Sequence, residues 1–258
     1  MGTQPAVNRI RHIHGDKDLF AKVYITDVTA LEDPELFDRL YGRMPRYRRE
    51  KTDRTRFDRD RRLSLGAGAL LLHALDETGA EADGGEQLVS LAGRLCSAVS
   101  GIGTGEHGKP FLPDRSGIEY NLSHSGDLAM CIVSDCPAGC DVQIYRPNYM
   151  DIARRFFFGR EYELIESQPS EKKMQETFFR LWTLKESFVK VTGLGFALPL
   201  QDFSMEISGE DISVSQHIDD AKYSFFEYNY RDGYSVSCAL RGYEGEKPQL
   251  QTVDLTAI

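Results

Sequence analysis

Trp182, Glu186 and Lys190 recur at four-residue spacing within the stretch from Phe178 to Lys190. On an α-helix that spacing sets an aromatic ring, a carboxylate and an ammonium in one stripe, with Lys185 beside it. A carboxylate next to two lysines can take a proton or hold a metal ion, leaving cations for an anionic substrate. The same spacing also describes an ordinary solvated Glu-Lys pair, so other stretches must decide between the two. Ala138 to Ile144 supplies one: alternation puts Asp141 and Gln143 on one face of a strand and Cys140, Val142 and Ile144 on the other. An aspartate inside an apolar strand is costly unless it is paired or metal-bound. Asp141 and Glu186 therefore offer two hard oxygen ligands, and Gln143 a neutral third. That set suits magnesium, which keeps several waters and shares its coordination with substrate phosphates. His124, Lys109, Arg62 and Lys190 are the candidate phosphate donors around it.

Two further stretches invite other chemistry. Gly103, Gly105 and Gly108 fit G-x-G-x-x-G, and Gly103 to Lys109 fits the start of a phosphate loop. Both patterns need a helix to follow, and here Pro110 and Pro113 follow while the hydroxyl residue after the lysine is missing. What remains is a rigid turn presenting Lys109. Ser123-His124-Ser125, between two strand signals, could form a nucleophile site, but no G-x-S-x-G surrounds it, and a satisfied polar turn is the alternative.

The elements expected to position these residues are strands at Val23 to Val28, Leu128 to Val133, Ala138 to Ile144, Phe203 to Ser208, Ala221 to Tyr230 and Tyr234 to Leu240. Helices are expected at Pro34 to Tyr41, Arg54 to Leu75, Gln87 to Val99, Ile152 to Phe158, Glu161 to Ser167 and through Phe178 to Lys190, with Gly193 as a stop. Residues 1 to 20, 79 to 85 and 168 to 173 read as loops. Gly66 and Gly68 inside a helical pattern suggest close packing against another backbone.

The chain of 258 residues, 41% hydrophobic, can bury a substantial core. No run of 18 apolar residues occurs, so no membrane span is expected, and the start lacks a secretory signal, giving a cytoplasmic expectation. Five scattered cysteines read as reduced thiols. Between Arg43 and Arg62 ten Lys/Arg face four Asp/Glu, a local charge of +6; with −9 overall, the remainder carries −15. A basic island on an acidic protein points to a local anionic ligand rather than to nucleic acid.

Gly108-Lys109-Pro110, Asn121-Leu122-Ser123-His124-Ser125, Gly139-Cys140-Asp141-Val142-Gln143 and Leu181 to Lys190, in that order, resemble the signature motifs of Sfp-type 4′-phosphopantetheinyl transferases. The resemblance extends to Asp60 to Gly66 and Gly195 to Leu200. It implies an α+β fold of two pseudo-symmetric halves, each a small antiparallel sheet packed on a long helix, with the active site in the cleft between them. The division would be a loose extension at 1–20, one half at 21–138 and the other at 139–258. It also implies transfer of the phosphopantetheine arm of coenzyme A to a serine of an acyl, polyketide or peptidyl carrier protein by a magnesium-dependent monomer. Asp141 and Glu186 would hold the magnesium, Glu186 would take the serine proton and Lys190 would stabilise charge on the leaving phosphate. His124 and Lys109 would contact coenzyme phosphates, Arg62 the phosphate of the adenosine moiety, and Ser123 and Lys185 would be further contacts. The carrier would dock near Tyr145 to Lys173. Gln143 departs from the family, which often has glutamate there, and weaker or less selective magnesium binding is the expected result. The rival readings are a coenzyme A or carrier-binding module without catalysis, a serine hydrolase built on Ser123 and His124, and a nucleic-acid binder using Arg43 to Arg62.

Overall fold

In the computed structural model, which describes residues 19–82, 103–113 and 117–258, two sheets meet side by side. In the first, β1 (Ala21–Asp27) runs antiparallel to β5 (Leu128–Ser134), which pairs on its other edge with β4 (Glu119–Ser125). Every residue of β5 is buried, as its unbroken apolar run requires of a central strand. In the second, β6 (Ala138–Ile144), β10 (Tyr234–Arg241) and β9 (Tyr223–Glu227) form an antiparallel ladder in that order. Two hairpins lie outside these sheets: β2 (Gly103–Thr104) with β3 (Pro110–Phe111), and β7 (Ser204–Ser208) with β8 (Asp211–Ser215). The last strand, β11 (Leu250–Thr252), crosses back to pair in parallel with β1. Residues beyond the expected division at 138 and 139 thus complete the first sheet.

Each sheet carries a long helix. Following α1 (Pro34–Arg43) and α2 (Arg46–Asp53), α3 (Asp58–Ala82) presses Leu70, Leu71, Ala74 and Leu75 onto Tyr24, Tyr120, Cys131 and Val133 of the first sheet. On the second sheet, α4 (Tyr149–Phe156) and α5 (Gly159–Glu166) precede α6 (Glu171–Thr192), whose Phe178, Leu181, Leu184 and Phe188 join Phe225 and Ala239 in a core. Ser170 caps the start of α6 by accepting from Lys173 N–H, and Gly193, at φ 73°, ends it. The α+β class expected from the sequence is what the fold has.

A row of side chains joins the sheets where backbone pairing stops. Asn121, Ser123 and Ser125, alternating along β4, accept from the backbone N–H groups of Cys140, Val142 and Ile144 at 3.0, 3.2 and 3.2 Å. The period of two that directs alternate β4 side chains to one face matches the period of the N–H groups on the open edge of β6. The polar motif is thus a seam as well as a candidate site.

Several expectations are corrected. The helix expected from Arg54 begins at Asp58, after a separate helix, α2, that was not anticipated, and α3 continues through Gly79 to Ala82, where a loop was expected. A Cβ on Gly66 would lie 2.5 Å from Val28 Cγ1, and one on Gly68 2.8 Å from Arg48 Nε, so these glycines accommodate side chains rather than another backbone. Helix α6 begins at Glu171, inside the expected loop, and β8 and β11 were not anticipated. The expected helix at Gln87 to Val99 and residues 1–18 lie outside the described residues. No helix among the described residues is long and apolar enough to cross a membrane.

Candidate active site

Gly139 lets β6 touch α6. A Cβ there would sit 2.2 Å from the Ser187 carbonyl oxygen and 2.5 Å from the Val191 nitrogen, so only glycine permits this approach. Two residues along the strand, on the same face, Asp141 reaches the helix. Lys190 Nζ donates to Asp141 Oδ1 at 2.7 Å and to the Cys140 carbonyl at 2.9 Å. Ser123 Oγ donates to the same Oδ1 at 2.7 Å. The other oxygen, Oδ2, is buried with no hydrogen-bond partner. Glu186, one turn before Lys190, is half-buried; burial first and the charge of Asp141 second raise its pKa, against the opposing pull of Lys190. Burial by itself would depress the Lys190 pKa, but Asp141 reverses that and holds the ammonium charged.

An unpaired buried carboxylate oxygen beside a second carboxylate is costly in a dry interior, and a divalent cation relieves both costs. The donors, Asp141, Glu186 and the Gln143 amide, are all oxygen atoms, which is what a hard cation such as magnesium takes. No group of three His, Cys, Asp or Glu able to hold a metal gathers among the described residues. Two carboxylates and an amide therefore fit magnesium only in company with waters or substrate oxygens.

Beside Gln143 and His124 opens a cavity of about 510 Å³ whose walls also include Lys51, Arg59, Asp60, Ser64 and Arg146. His124, on β4, turns an accessible edge to it. Desolvation by the surrounding protein, then Lys51 and Lys190 and less strongly Arg48, holds its pKa below the ordinary histidine value. Burial and the nearby Arg48 likewise lower the pKa of Lys51. Basic groups whose charged forms are disfavoured by their like-charged neighbours gain from an anionic guest. Arg59 is pre-positioned at the rim, donating to the Gly126 carbonyl at 3.2 Å and pairing with Asp127 at 3.0 Å.

Of the residues expected at the site, Asp141, Glu186, Lys190, His124 and Gln143 come together, and Ser123 stands behind Asp141 rather than facing a ligand. Three cations do not join them. Lys185 is fully buried, donating to both oxygens of Glu161 at 2.8 and 2.7 Å and to the Phe203 carbonyl at 2.8 Å, so it holds α5 and β7 to α6 and contacts no coenzyme. Arg62 turns to Glu32 at 3.3 Å and does not line the cavity. Lys109 donates to the Ala138 carbonyl at 3.1 Å and the Val191 carbonyl at 3.5 Å, near Glu119, and so serves the C-terminal end of α6, where carbonyls need donors. The cations that do line the cavity, Lys51, Arg59 and Arg146, were not singled out from the sequence, although the basic island contains the first two. Ser123 and His124 neighbours on β4 point to opposite faces, and the hydroxyl is engaged by Asp141 and the Val142 N–H, which removes the serine-hydrolase reading.

Comparison with known proteins falls on this part of the chain. Residues 137–239, from β6 to β10, match the model of the 4′-phosphopantetheinyl transferase superfamily. The 4′-phosphopantetheinyl transferase Sfp of Bacillus subtilis strain 168 is 34% identical over 139 residues, covering 53% of this chain and 61% of that protein. The 4′-phosphopantetheinyl transferase HetI of Nostoc is 49% identical over 96 residues, covering 35% of this chain and 40% of that protein. The chain spans little more than half the length of the Bacillus subtilis relatives it matches. The Thermotoga maritima holo-[acyl-carrier-protein] synthase overlaps 41% of this chain and 62% of that one at 20% identity with a TM-score of 0.34, too loosely to carry an argument.

Proposed function

Because residues 137–239 belong by sequence to the 4′-phosphopantetheinyl transferase superfamily, and the chain is similar there to Sfp-type enzymes, we propose that it transfers the phosphopantetheine arm of coenzyme A to a serine of a carrier protein. The observation that carries this reading is the meeting of Asp141, with its unpartnered oxygen, and Glu186, while Gln143 on the same strand lines a cavity shared with Lys51, Arg59, His124 and Arg146. Displacement at phosphorus demands alignment and charge neutralisation more than covalent help from the protein.

Each residue has a part in that reading. Lys51, Arg59, His124 and Arg146 receive the phosphates of coenzyme A. Lys190, kept charged by Asp141, neutralises the charge developing on the leaving phosphate. Glu186 accepts the proton of the attacking serine hydroxyl, a task for which a carboxylate with a raised pKa is better suited than an ordinary one. Magnesium, held by Asp141 and Glu186 with Gln143 or a water as a further ligand, would add neutralisation of the diphosphate when bound. The carrier approaches α4 and α5, where Ile152, Phe156, Phe158 and Leu164 are exposed. A monomer in the cytoplasm completes the proposal.

The test is mass spectrometry of apo carrier proteins from fatty-acid, polyketide and peptide synthesis, incubated with coenzyme A, magnesium and the protein. The expected result is gain of the phosphopantetheine mass with wild type and its loss, by a factor of about 100 or more in rate, with Glu186→Ala. Coenzyme A binding without transfer to any carrier would instead leave a non-catalytic binding module.

A further inference from the structure

Arg48, on α2, is 4% exposed, yet no acid lies against it. One terminal nitrogen, Nη2, donates to the Ser64 carbonyl, and Nε is buried with no partner. The titratable groups around the guanidinium are Tyr47, Tyr120 and Cys131, neutral near pH 7, and Lys51 and His124, which share its sign when charged. Burying a guanidinium costs several times what one carbonyl acceptor returns, and a residue of similar volume without the charge would pack there at less cost. The neighbouring helix also makes room for it. A Cβ at Gly68 would come within 2.8 Å of Nε and 3.1 Å of Nη2, and 3.0 Å of Met44 Sδ beside them, so α3 keeps a glycine in its interior, where alanine would favour the helix. The fold accepts two destabilising choices for a charge it does not neutralise. Ser64, the one hydrogen-bond acceptor of Arg48 among the described residues, lines the cavity together with Lys51, His124 and a single carboxylate, Asp60.

We propose that Arg48 is a buried charge whose counter-ion is the anionic ligand of this cavity, adding to anion affinity through its field across the Ser64 wall rather than by stabilising the fold. The identity of that ligand as coenzyme A rests on the function proposed above; the role of Arg48 toward an anion does not. Its charge lies behind Lys51 and His124, in low dielectric and shielded from salt, where a cation attracts an anion more strongly than at the surface.

Arg48→Met and Arg48→Lys would be compared with wild type in calorimetric titrations with coenzyme A, adenosine 3′,5′-bisphosphate, inorganic pyrophosphate and uncharged pantetheine, alongside thermal unfolding without ligand. Arg48→Met is expected to bind each anion about tenfold more weakly, to bind pantetheine as wild type does, and to melt at the same or a higher temperature. Arg48→Lys, which keeps the charge, should recover most of the anion affinity. Unchanged anion affinity in a folded Arg48→Met, or a fall in its melting temperature, would overturn the proposal, since the second result makes the charge structural. Should wild type bind pyrophosphate but not coenzyme A, the proposed function fails while the pyrophosphate arm still decides the role of Arg48.

Discussion

Glu186 sits where its surroundings disfavour ionisation, and that makes it a measurable residue. Its pKa in the folded protein lies above the ordinary value of 4.5, because burial and Asp141 both oppose ionisation. Between the unfolded and the folded pKa the native state binds more protons than the unfolded chain, so stability falls as pH rises through that window and stays lower above it. Glu186→Gln removes the penalty. Without added metal, the variant should melt above wild type at pH 7, converge with it at pH values below the ordinary carboxylate range, and lose the proposed transfer activity. Scanning calorimetry across that pH range checks the sign, and a lower melting point for the variant at pH 7 would mean that the neighbours of Glu186 stabilise its carboxylate rather than oppose it. At this scale the sequence is informative about type and poor about direction. Asp141, Glu186 and Lys190 were legible because strand and helix periods fix which residues share a face. Lys185 sits next to Glu186 in the chain, yet one step along a helix turned it to the core and to Glu161, a partner 24 residues away. Arg62 and Arg59 differ by three positions in the same basic helix start, and only the fold sends one to Glu32 and the other to the cavity rim.

At the level of elements, α6 and β6 form the frame of the site, and Gly139 sets their distance. Its hydrogen faces the backbone of Ser187, Lys190 and Val191, so a methyl there has no side chain to push aside. Gly139→Ala should cost about 3 kcal/mol by forcing strand and helix apart, seen as a lower midpoint in urea. Because the same shift separates Asp141 from Lys190, metal and anion binding should weaken in whatever fraction remains folded. A variant as stable as wild type would show that the approach is not the constraint it looks to be. The long helices and the buried strands were readable because their apolar periods are strong: β5 is apolar throughout and α6 repeats at three and four. The short exposed strands were not. In β8 Ile212 and Val214 alternate with polar residues over five positions, too short a run to separate from a loop, and β11 is defined by its pairing with β1 rather than by its own residues.

The two sheets are tied together by groups that neither sheet needs for itself. The Cys140, Val142 and Ile144 N–H groups would be an open edge were it not for Asn121, Ser123 and Ser125, and β11 returns the end of the chain to the first sheet. Arg231, on the loop before β10, adds a tie to Asp27 at the end of β1 at 2.7 Å. Since Asp141 lies on the seam strand and His124 on its partner, the site exists only while the halves are joined, and the halves should therefore unfold as one unit. Asn121, buried at the seam and not among the residues lining the cavity, separates stability from ligand contact. Asn121→Ala leaves the Cys140 N–H without its acceptor, which should cost about 1–3 kcal/mol. The expected calorimetric trace is one transition moved to lower temperature, with calorimetric and van't Hoff enthalpies still equal. Two separated transitions would mean that each half holds itself together and that the seam merely touches, in which case the cleft could open without unfolding and the geometry of Asp141 and Glu186 would depend on what bridges them.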